Sequence, residues 1–300
     1  MSAAQQRPVV GILWMVVTGL CFVAVTALVK VLDGRVPAAE GAFLRYLLGL
    51  VFLLPVARTL LATRLSARQW RLFGLRGLVH TAGVTLWFFA MSRIPIAEVT
   101  AMNYLTPVYV TILAVFVLGE KLALRRILAI VAALAGALLI LRPGFRALDP
   151  GHVAMLGTAL LFSGSYLLAK ILSGEVSATV VVALLSVTVT IGLAPLAALD
   201  WVTPTMFELA VLFGVACFAT AGHYTMTLAF AAAPVSVTQP VTFLQLVWSV
   251  LLGVVFFAEP ADPWVIAGGT VILLAISFIT WREQQLKRQA ITPPVPATKT

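Results

Sequence analysis

The sequence predicts an all-α integral membrane protein whose ten membrane-spanning helices form two inverted five-helix repeats. Three observations predict this fold: the composition, the length and number of the apolar stretches, and a duplication within the chain. Of the 300 residues, 61% are hydrophobic and 10% are charged, whereas soluble domains average about 45–50% and about 25%. The chain is therefore too apolar for a soluble domain.

Ten apolar stretches are long enough, or nearly so, to cross a hydrocarbon core about 30 Å thick, which takes about 20 helical residues. Short connections with turn residues, such as Asp33-Gly34 and Asp262-Pro263, separate them. We number the stretches as spans 1 to 10. They are predicted at 9–32, 38–61, 72–91, 97–119, 124–141, 152–173, 176–199, 207–232, 235–258 and 263–281.

The chain repeats itself once, with an offset of 140 positions that slips to 139 further along. Five spans per repeat is an odd number, so the second copy enters the membrane from the opposite side, a construction typical of transporters. The first repeat is predicted at 1–150, the second at 151–281, and a disordered cytoplasmic tail at 282–300. The recurring pairs include Met15/Met155, Thr18/Thr158, Phe22/Phe162, Pro55/Pro195, Gly83/Gly222 and Glu120/Glu259.

The basic residues predict the orientation. The side that holds the N-terminus carries thirteen Lys and Arg, and the opposite side carries five. The positive-inside rule therefore places both termini in the cytoplasm. The net charge of +9 does not indicate nucleic-acid binding, because the basic residues form no stripe interleaved with exposed aromatics.

Spans 4 and 9 each carry a polar stripe. Polar groups at membrane depth cost several kcal/mol unless they face a cavity or a partner. The two stripes correspond under the repeat, as a shared site on the pseudo-two-fold axis requires. The alternative is hydrogen bonding between helices without a ligand. The stripes consist of Thr100, Asn103 and Thr106 in span 4 and Gln239, Thr242, Gln245 and Ser249 in span 9.

The repeat breaks at several polar or aromatic positions of spans 3 and 8. His80 and Trp87 lie in span 3, and His223 and Tyr224 lie in span 8. Because an asymmetric ligand requires asymmetric contacts, these side chains are candidate ligand contacts. The alternatives are a satisfied interhelical hydrogen bond for each histidine and plain packing for the tryptophan.

Arg45 in span 2 either snorkels to the membrane surface or binds a substrate carboxylate. Arg76 shares a face of span 3 with His80. No carboxylate lies in the middle of a span, so only His80 and His223 could titrate there near neutral pH. Glu259 ends span 9, and we expect it to cap the N-terminus of the next helix.

Two prolines and two cysteines lie within spans. Pro107 and Pro240 should loosen the helical hydrogen bonds where the polar stripes lie. Cys21 and Cys217 are interpreted as small core residues. The sequence has no Walker-type phosphate loop, zinc-protease motif or nucleophile elbow. We therefore expect no cofactor, no metal and no enzymatic activity.

The sequence carries five motifs of one known family: Arg45, Ile94-Pro95-Ile96-Ala97, Leu118-Gly119-Glu120-Lys121, Ala233-Pro234-Val235-Ser236 and Phe257-Ala258-Glu259-Pro260. With these motifs the chain, up to about Trp281, resembles the EamA type of the drug/metabolite transporter superfamily. At the end of span 9 the second repeat has Phe257-Ala258-Glu259, where this family usually has Leu-Gly-Glu. The resemblance implies a bacterial inner-membrane location and a cavity lined by spans 1, 3, 4, 6, 8 and 9, which adds Ser165 and Tyr166.

The expected function is that of a secondary transporter that exports amino acids, aromatic ones first, by alternating access. Its partners would be a small-molecule substrate and the bilayer, with a monomer as the simplest assembly. The alternatives are an exporter of drugs or other cations, which normally uses a buried carboxylate, and a non-transporting scaffold. The predicted substrate-binding residues are His80, Trp87, Asn103, Tyr104, Tyr166, His223, Tyr224, Gln239, Thr242 and Gln245.

Overall fold

The computed structural model describes residues 7–118, 124–145, 147–233 and 238–291. In these ranges nine helices are long and apolar enough to cross a membrane, and a shorter apolar helix adds a tenth span. The predicted all-α fold is confirmed. The spans are Pro8–Val31 (1), Ala38–Gly49, Leu50–Val56 and Ala57–Ala62 (2), Ala67–Met91 (3), Ile96–Asn103 and Leu105–Leu118 (4), Leu124–Leu141 (5), Pro150–Ser173 (6), Ala178–Leu199 (7), Met206–Ala232 (8), Gln239–Thr242 and Phe243–Phe257 (9), and Pro263–Ile291 (10).

Two helices extend further than their apolar stretches. Span 3 begins at Ala67 rather than 72, because Ser66 and Gln69 form a capping box that satisfies the first backbone N–H groups. Span 10 continues to Ile291, so part of the tail predicted as disordered at 282–300 is helical. Hydropathy locates the part of a helix inside the bilayer and not its polar end. Residues 292–300 lie outside the described ranges.

Spans 2, 4 and 9 are interrupted near a proline. Span 4 breaks at Tyr104, since Pro107 has no N–H to donate to the carbonyl of Asn103. Pro240 lies in a short 3-10 segment that begins span 9. The expected loosening is therefore observed in both repeats. Pro55 also lies in a 3-10 segment.

The packing of the spans obeys the two-fold symmetry of the repeats. The most extensive contacts join span 1 to span 8, span 3 to span 6, and span 5 to span 10. When each span is exchanged for its repeat equivalent, the pair 1/8 becomes 6/3, and the pair 5/10 maps onto itself. Span 2 also packs on span 7, and span 4 on span 9. Each of these pairs takes one span from each half, so the repeats interlock.

Spans 5 and 10 approach closely where two glycines meet. A Cβ atom added to Gly136 would lie 2.7 Å from the carbonyl oxygen of Gly268, and one added to Gly268 would lie 2.4 Å from the carbonyl oxygen of Gly136. Small residues at membrane helix crossings allow such an approach and the dispersion contacts that follow from it. The crossing therefore depends on the absence of side chains at both positions.

We expect Gly136→Ala to destabilise the protein by about 1–3 kcal/mol, because a methyl group there meets rigid backbone. Thermal unfolding in detergent measures the effect. Gly74→Ala is the matched control, since a Cβ at Gly74 has no atom within 4 Å and alanine favours the helix. Equal melting temperatures for the two variants would contradict this account of the crossing.

Candidate functional site

His80 lies where spans 2, 3 and 6 meet, and both of its ring nitrogens are hydrogen-bonded. Nε2 lies 3.0 Å from the hydroxyl oxygen of Tyr46, and Nδ1 lies 3.0 Å from Oγ of Ser165. The side chain is buried. Two hydroxyl partners, each able to donate or accept, hold the ring in one orientation.

Aromatic rings from spans 3 and 6 extend from this histidine. The His80 ring stacks on Phe162 at 4.8 Å between centroids, and Phe162 stacks on Tyr166 at 6.1 Å. Trp87 meets Phe162 edge-on at 6.1 Å, and its buried indole Nε1 has no hydrogen-bond partner among the residues that the structure describes. Phe162 is buried, whereas Tyr166 and Trp87 are partly exposed and can offer a ring face to a ring-containing ligand.

A second contact between phenylalanine and histidine joins spans 1 and 8. Phe22 meets the ring of His223 at 5.2 Å, nearly perpendicular. Phe22 is the repeat equivalent of Phe162, but His223 is displaced by one helical turn from the position equivalent to His80. Each half therefore contributes one phenylalanine that contacts a histidine of the other half.

The two histidines belong to one polar centre. Arg45, Arg76 and His223 lie within electrostatic range of His80, and the two arginines are also within range of His223. The pair of spans 1 and 8 makes few contacts with the pair of spans 3 and 6 in the described chain, and span 2 packs against spans 8 and 3. The centre thus lies between the two pairs.

The centre borders open space inside the bundle. Tyr166 is 43% exposed, although it lies within electrostatic range of Arg76 and Tyr46. Because its ring stacks on Phe162, which in turn stacks on the buried His80, we interpret Tyr166 as facing the interior of the bundle rather than lipid. The exposed surface of Tyr166 therefore lines a space between the spans.

The polar stripes of spans 4 and 9 meet each other directly. The hydroxyls of Thr100 and Ser249 lie 2.7 Å apart, and the hydroxyl of Tyr104 donates to the carbonyl of Thr242 at 2.8 Å. These groups form an interhelical seam, which is the packing alternative considered above. Asn103 is half-buried.

The remaining predicted residues are Gln245, Tyr224 and Gln239. Gln245 is half-buried and packs against Gly19 of span 1. Tyr224 is 66% exposed, with no ring contact among the described side chains. The Gln239 side chain lies outside the described part of the protein.

Sequence reasoning missed two members of the centre. Tyr46 and Phe162 lie in apolar stretches where aromatic side chains normally signify core. Their signals were the adjacent Arg45 and the recurrence of Phe22 as Phe162.

One face of the bundle, which we call the ionic face, holds the connections 32–37, 92–95, 142–149, 200–205 and 258–262. Four ion pairs lie at this face among the residues that the structure describes, and all but the pair of Arg93 and Asp149 join the two predicted repeats. They are Lys30–Glu259, Arg35–Glu208, Arg93–Asp149 and Arg142–Asp262.

Glu259 caps a helix, although not the predicted one. Its Oε2 accepts a hydrogen bond of 2.9 Å from the backbone N–H of Ile96, at the start of span 4. Span 4 belongs to the other repeat, whereas we expected Glu259 to cap span 10. Its repeat equivalent, Glu120, lies outside the described residues. Glu259 therefore stabilises a helix terminus and joins the halves.

Beneath the ionic face, Glu98 and His152 form a buried pair. Oε2 of Glu98 lies 2.5 Å from Nε2 of His152, and the backbone N–H of Asp149 donates to Nδ1 of His152 at 3.0 Å. A pocket of about 230 Å³ adjoins the pair and is also lined by Arg93 and Asp262. Sequence reasoning had considered only the other two histidines as titratable groups inside the membrane.

Asp149 combines a helix cap with an ion pair. Its carboxylate accepts hydrogen bonds from the N–H of Gly151 at 2.7 Å and from Nε of Arg93 at 3.1 Å. Desolvation alone would raise the pKa of Asp149, but these hydrogen bonds together lower the pKa below its ordinary value. The stabilisation is therefore present at neutral pH and is lost as the pH falls through this lowered pKa.

We expect Asp149→Asn to keep the cap and lose the ion pair, while Asp149→Ala loses both and costs about 0.5–2 kcal/mol. Melting temperatures at pH 7 should fall in the order wild type, Asn, Ala. At pH 3 the difference between wild type and Asn should shrink. Asp33→Asn, in an exposed turn of the same face, is the control. Equal losses for Asn and Ala would contradict the assigned cap.

Comparison with known proteins agrees with this architecture. A model of the EamA-like transporter family matches residues 9–142 and again 149–281. The riboflavin transporter of Rhizobium johnstonii is 30% identical over 96% of this chain and 97% of its own length. The S-adenosylmethionine uptake transporter of Rickettsia bellii is 26% identical over 97% and 100%.

Two further similarities extend the comparison. The pseudopaline exporter of Pseudomonas aeruginosa is 25% identical over 88% of this chain and 94% of its own length. A protein of known crystal structure shares the fold with a TM-score of 0.60 at 19% identity, over 92% of this chain and 98% of that one. The chain belongs to the EamA-like transporter family and is a multi-pass membrane transporter of small molecules.

Proposed function

We propose that this protein exports small metabolites that contain an aromatic ring, with aromatic amino acids as the first candidates. The observation that carries the proposal is the centre between the span pairs 1/8 and 3/6, where Phe22 and Phe162 contact histidines of opposite halves. Aromatic rings together with histidine nitrogens are expected in a binding site for a planar ligand and not on a helix surface that faces lipid.

The packing supports alternating access between the span pairs. Spans 1 and 8 form one closely packed unit, and spans 3 and 6 form its two-fold equivalent. Because contacts between the units are few, they can rock against each other at little cost in buried surface. The ion pairs of the ionic face would then separate when that side opens. The positive-inside rule places this face outside the cytoplasm.

The substrates named for the relatives fit a ring-binding centre. Riboflavin and S-adenosylmethionine both contain fused heteroaromatic rings, and S-adenosylmethionine also carries an amino-acid group. Both are larger than an aromatic amino acid. The shared requirement is a flat face for stacking, which the partly exposed rings of Tyr166 and Trp87 supply, with the buried Phe162 packed against both.

The test is flux into liposomes that contain the purified protein. We expect saturable uptake of tryptophan, phenylalanine, riboflavin or S-adenosylmethionine, and slower uptake of threonine. Phe162→Ala should lower the flux at least tenfold, since it removes the ring that joins His80 to Tyr166 and Trp87. Phe116→Ala is the matched control, because Phe116 is 80% exposed on span 4 and should leave the flux unchanged.

Direction is tested in cells loaded with the transported compound. Export predicts faster efflux from cells that produce the protein than from cells with the Phe162→Ala variant. If folded protein moved no ring-containing compound, or if the two phenylalanine variants behaved alike, the proposal would be overturned.

A further inference from the structure

We infer that the transported molecule carries a carboxylate or another anionic oxygen group, and that Arg45 and Arg76 bind it. The inference rests on the proposed function, because it assigns a charge to the substrate of the same centre. Its basis is a pair of buried guanidinium groups without carboxylate partners in the part of the chain that the structure describes.

Arg45 does not snorkel to the membrane surface. It is 8% exposed, and its guanidinium carbon lies 4.0 Å from the centroid of the neighbouring Tyr46 ring. Among the described residues it makes no hydrogen bond or ion pair, and its Nε is completely buried without an acceptor. A stacked guanidinium with free N–H groups is in a geometry that can receive a planar anion.

Arg76 has a similar shortage of partners. It is 5% exposed, and it donates one hydrogen bond of 2.8 Å to the carbonyl of Val181. Its Nε is also buried and has no acceptor in the described part of the chain. One neutral acceptor satisfies one of the five N–H groups of a guanidinium and none of its charge.

The carboxylates of the described spans are engaged elsewhere. Glu98 pairs with His152, Glu208 with Arg35 and Glu259 with Lys30. Glu40 accepts a hydrogen bond from the N–H of Val202. These groups serve the ionic face, so none of them neutralises Arg45 or Arg76.

A buried cation without a counterion is costly in a membrane, and such residues mark ligand or ion pathways. Both arginines lie within electrostatic range of His80 and His223, so a cationic group placed beside them would be repelled by two fixed positive charges. A ligand with its ring against the partly exposed Tyr166 or Trp87 and its anionic group toward the arginines satisfies both the stacking faces and the charge. The same charges oppose the cation exporter that the sequence left open.

The first test uses wild-type protein and three ligands that share an indole ring. Competition against the transported ring compound compares indole-3-acetate (an anion), tryptophan (a zwitterion) and tryptamine (a cation). We expect the first two to inhibit flux at concentrations at least tenfold lower than tryptamine. Inhibition of flux by indol-3-yl phosphate shows whether a phosphate group can take the place of the carboxylate. Equal or stronger inhibition by tryptamine would overturn the inference.

The second test changes the charges. Arg45→Gln and Arg76→Gln should each raise the KM for the anionic ligand at least tenfold, and Arg45→Lys should raise it less because the charge remains. Arg71→Gln, exposed near the start of span 3, is the control and should match wild type. The competition series with wild type decides the question even if a glutamine variant fails to fold.

The two proposals fail in different ways. If wild type moves no ring-containing compound, the proposed function falls and the inference falls with it. If wild type moves riboflavin, which is neutral at pH 7, as well as indole-3-acetate, and both glutamine variants leave the two KM values unchanged, the inference falls alone.

Discussion

The bilayer offers no hydrogen-bond partners, and this constraint explains where the charges of this protein lie. At the ionic face, charged groups of the described chain are matched by oppositely charged partners, most of them from the other half. Lys30 with Glu259 and Arg142 with Asp262 illustrate this at the ionic face. An ion pair between opposite halves neutralises the two charges and also joins the repeats. Arg45 and Arg76 have no such partner among the described residues, which is why we propose that the centre between the span pairs binds the anionic group of a substrate.

The interlocked packing also determines what can move. A duplicated sequence suggests two bundles of five spans that rock as separate bodies. The close contacts instead pair span 1 with span 8 and span 3 with span 6, so a rigid unit combines spans from both repeats. Separating the repeats themselves would break their largest interfaces. The sparse contacts between the two units offer a cheaper route for opening and closing.

Much of the fold could be predicted because a bilayer crossing needs a fixed helix length, and because the repeat of Phe22 as Phe162 shows the symmetry. The site was predicted only in part. Helical periodicity placed Thr100 and Ser249 on polar faces, but it cannot tell a face that meets another helix from one that lines a cavity. Tyr46 looked like core, since its hydroxyl acquires a role only when His80 is brought beside it.

The pairing of span 1 with span 8 has a consequence for how the protein is made. Span 1 ends at Val31 and span 8 begins at Met206, so the two are far apart in synthesis. At about 5–20 residues per second, a nascent chain waits roughly 10–35 s between them. During that interval Arg45 and Arg76 are already in the membrane without the helices that later surround them. The insertion machinery or neighbouring lipid headgroups must shelter these charges until the second half arrives.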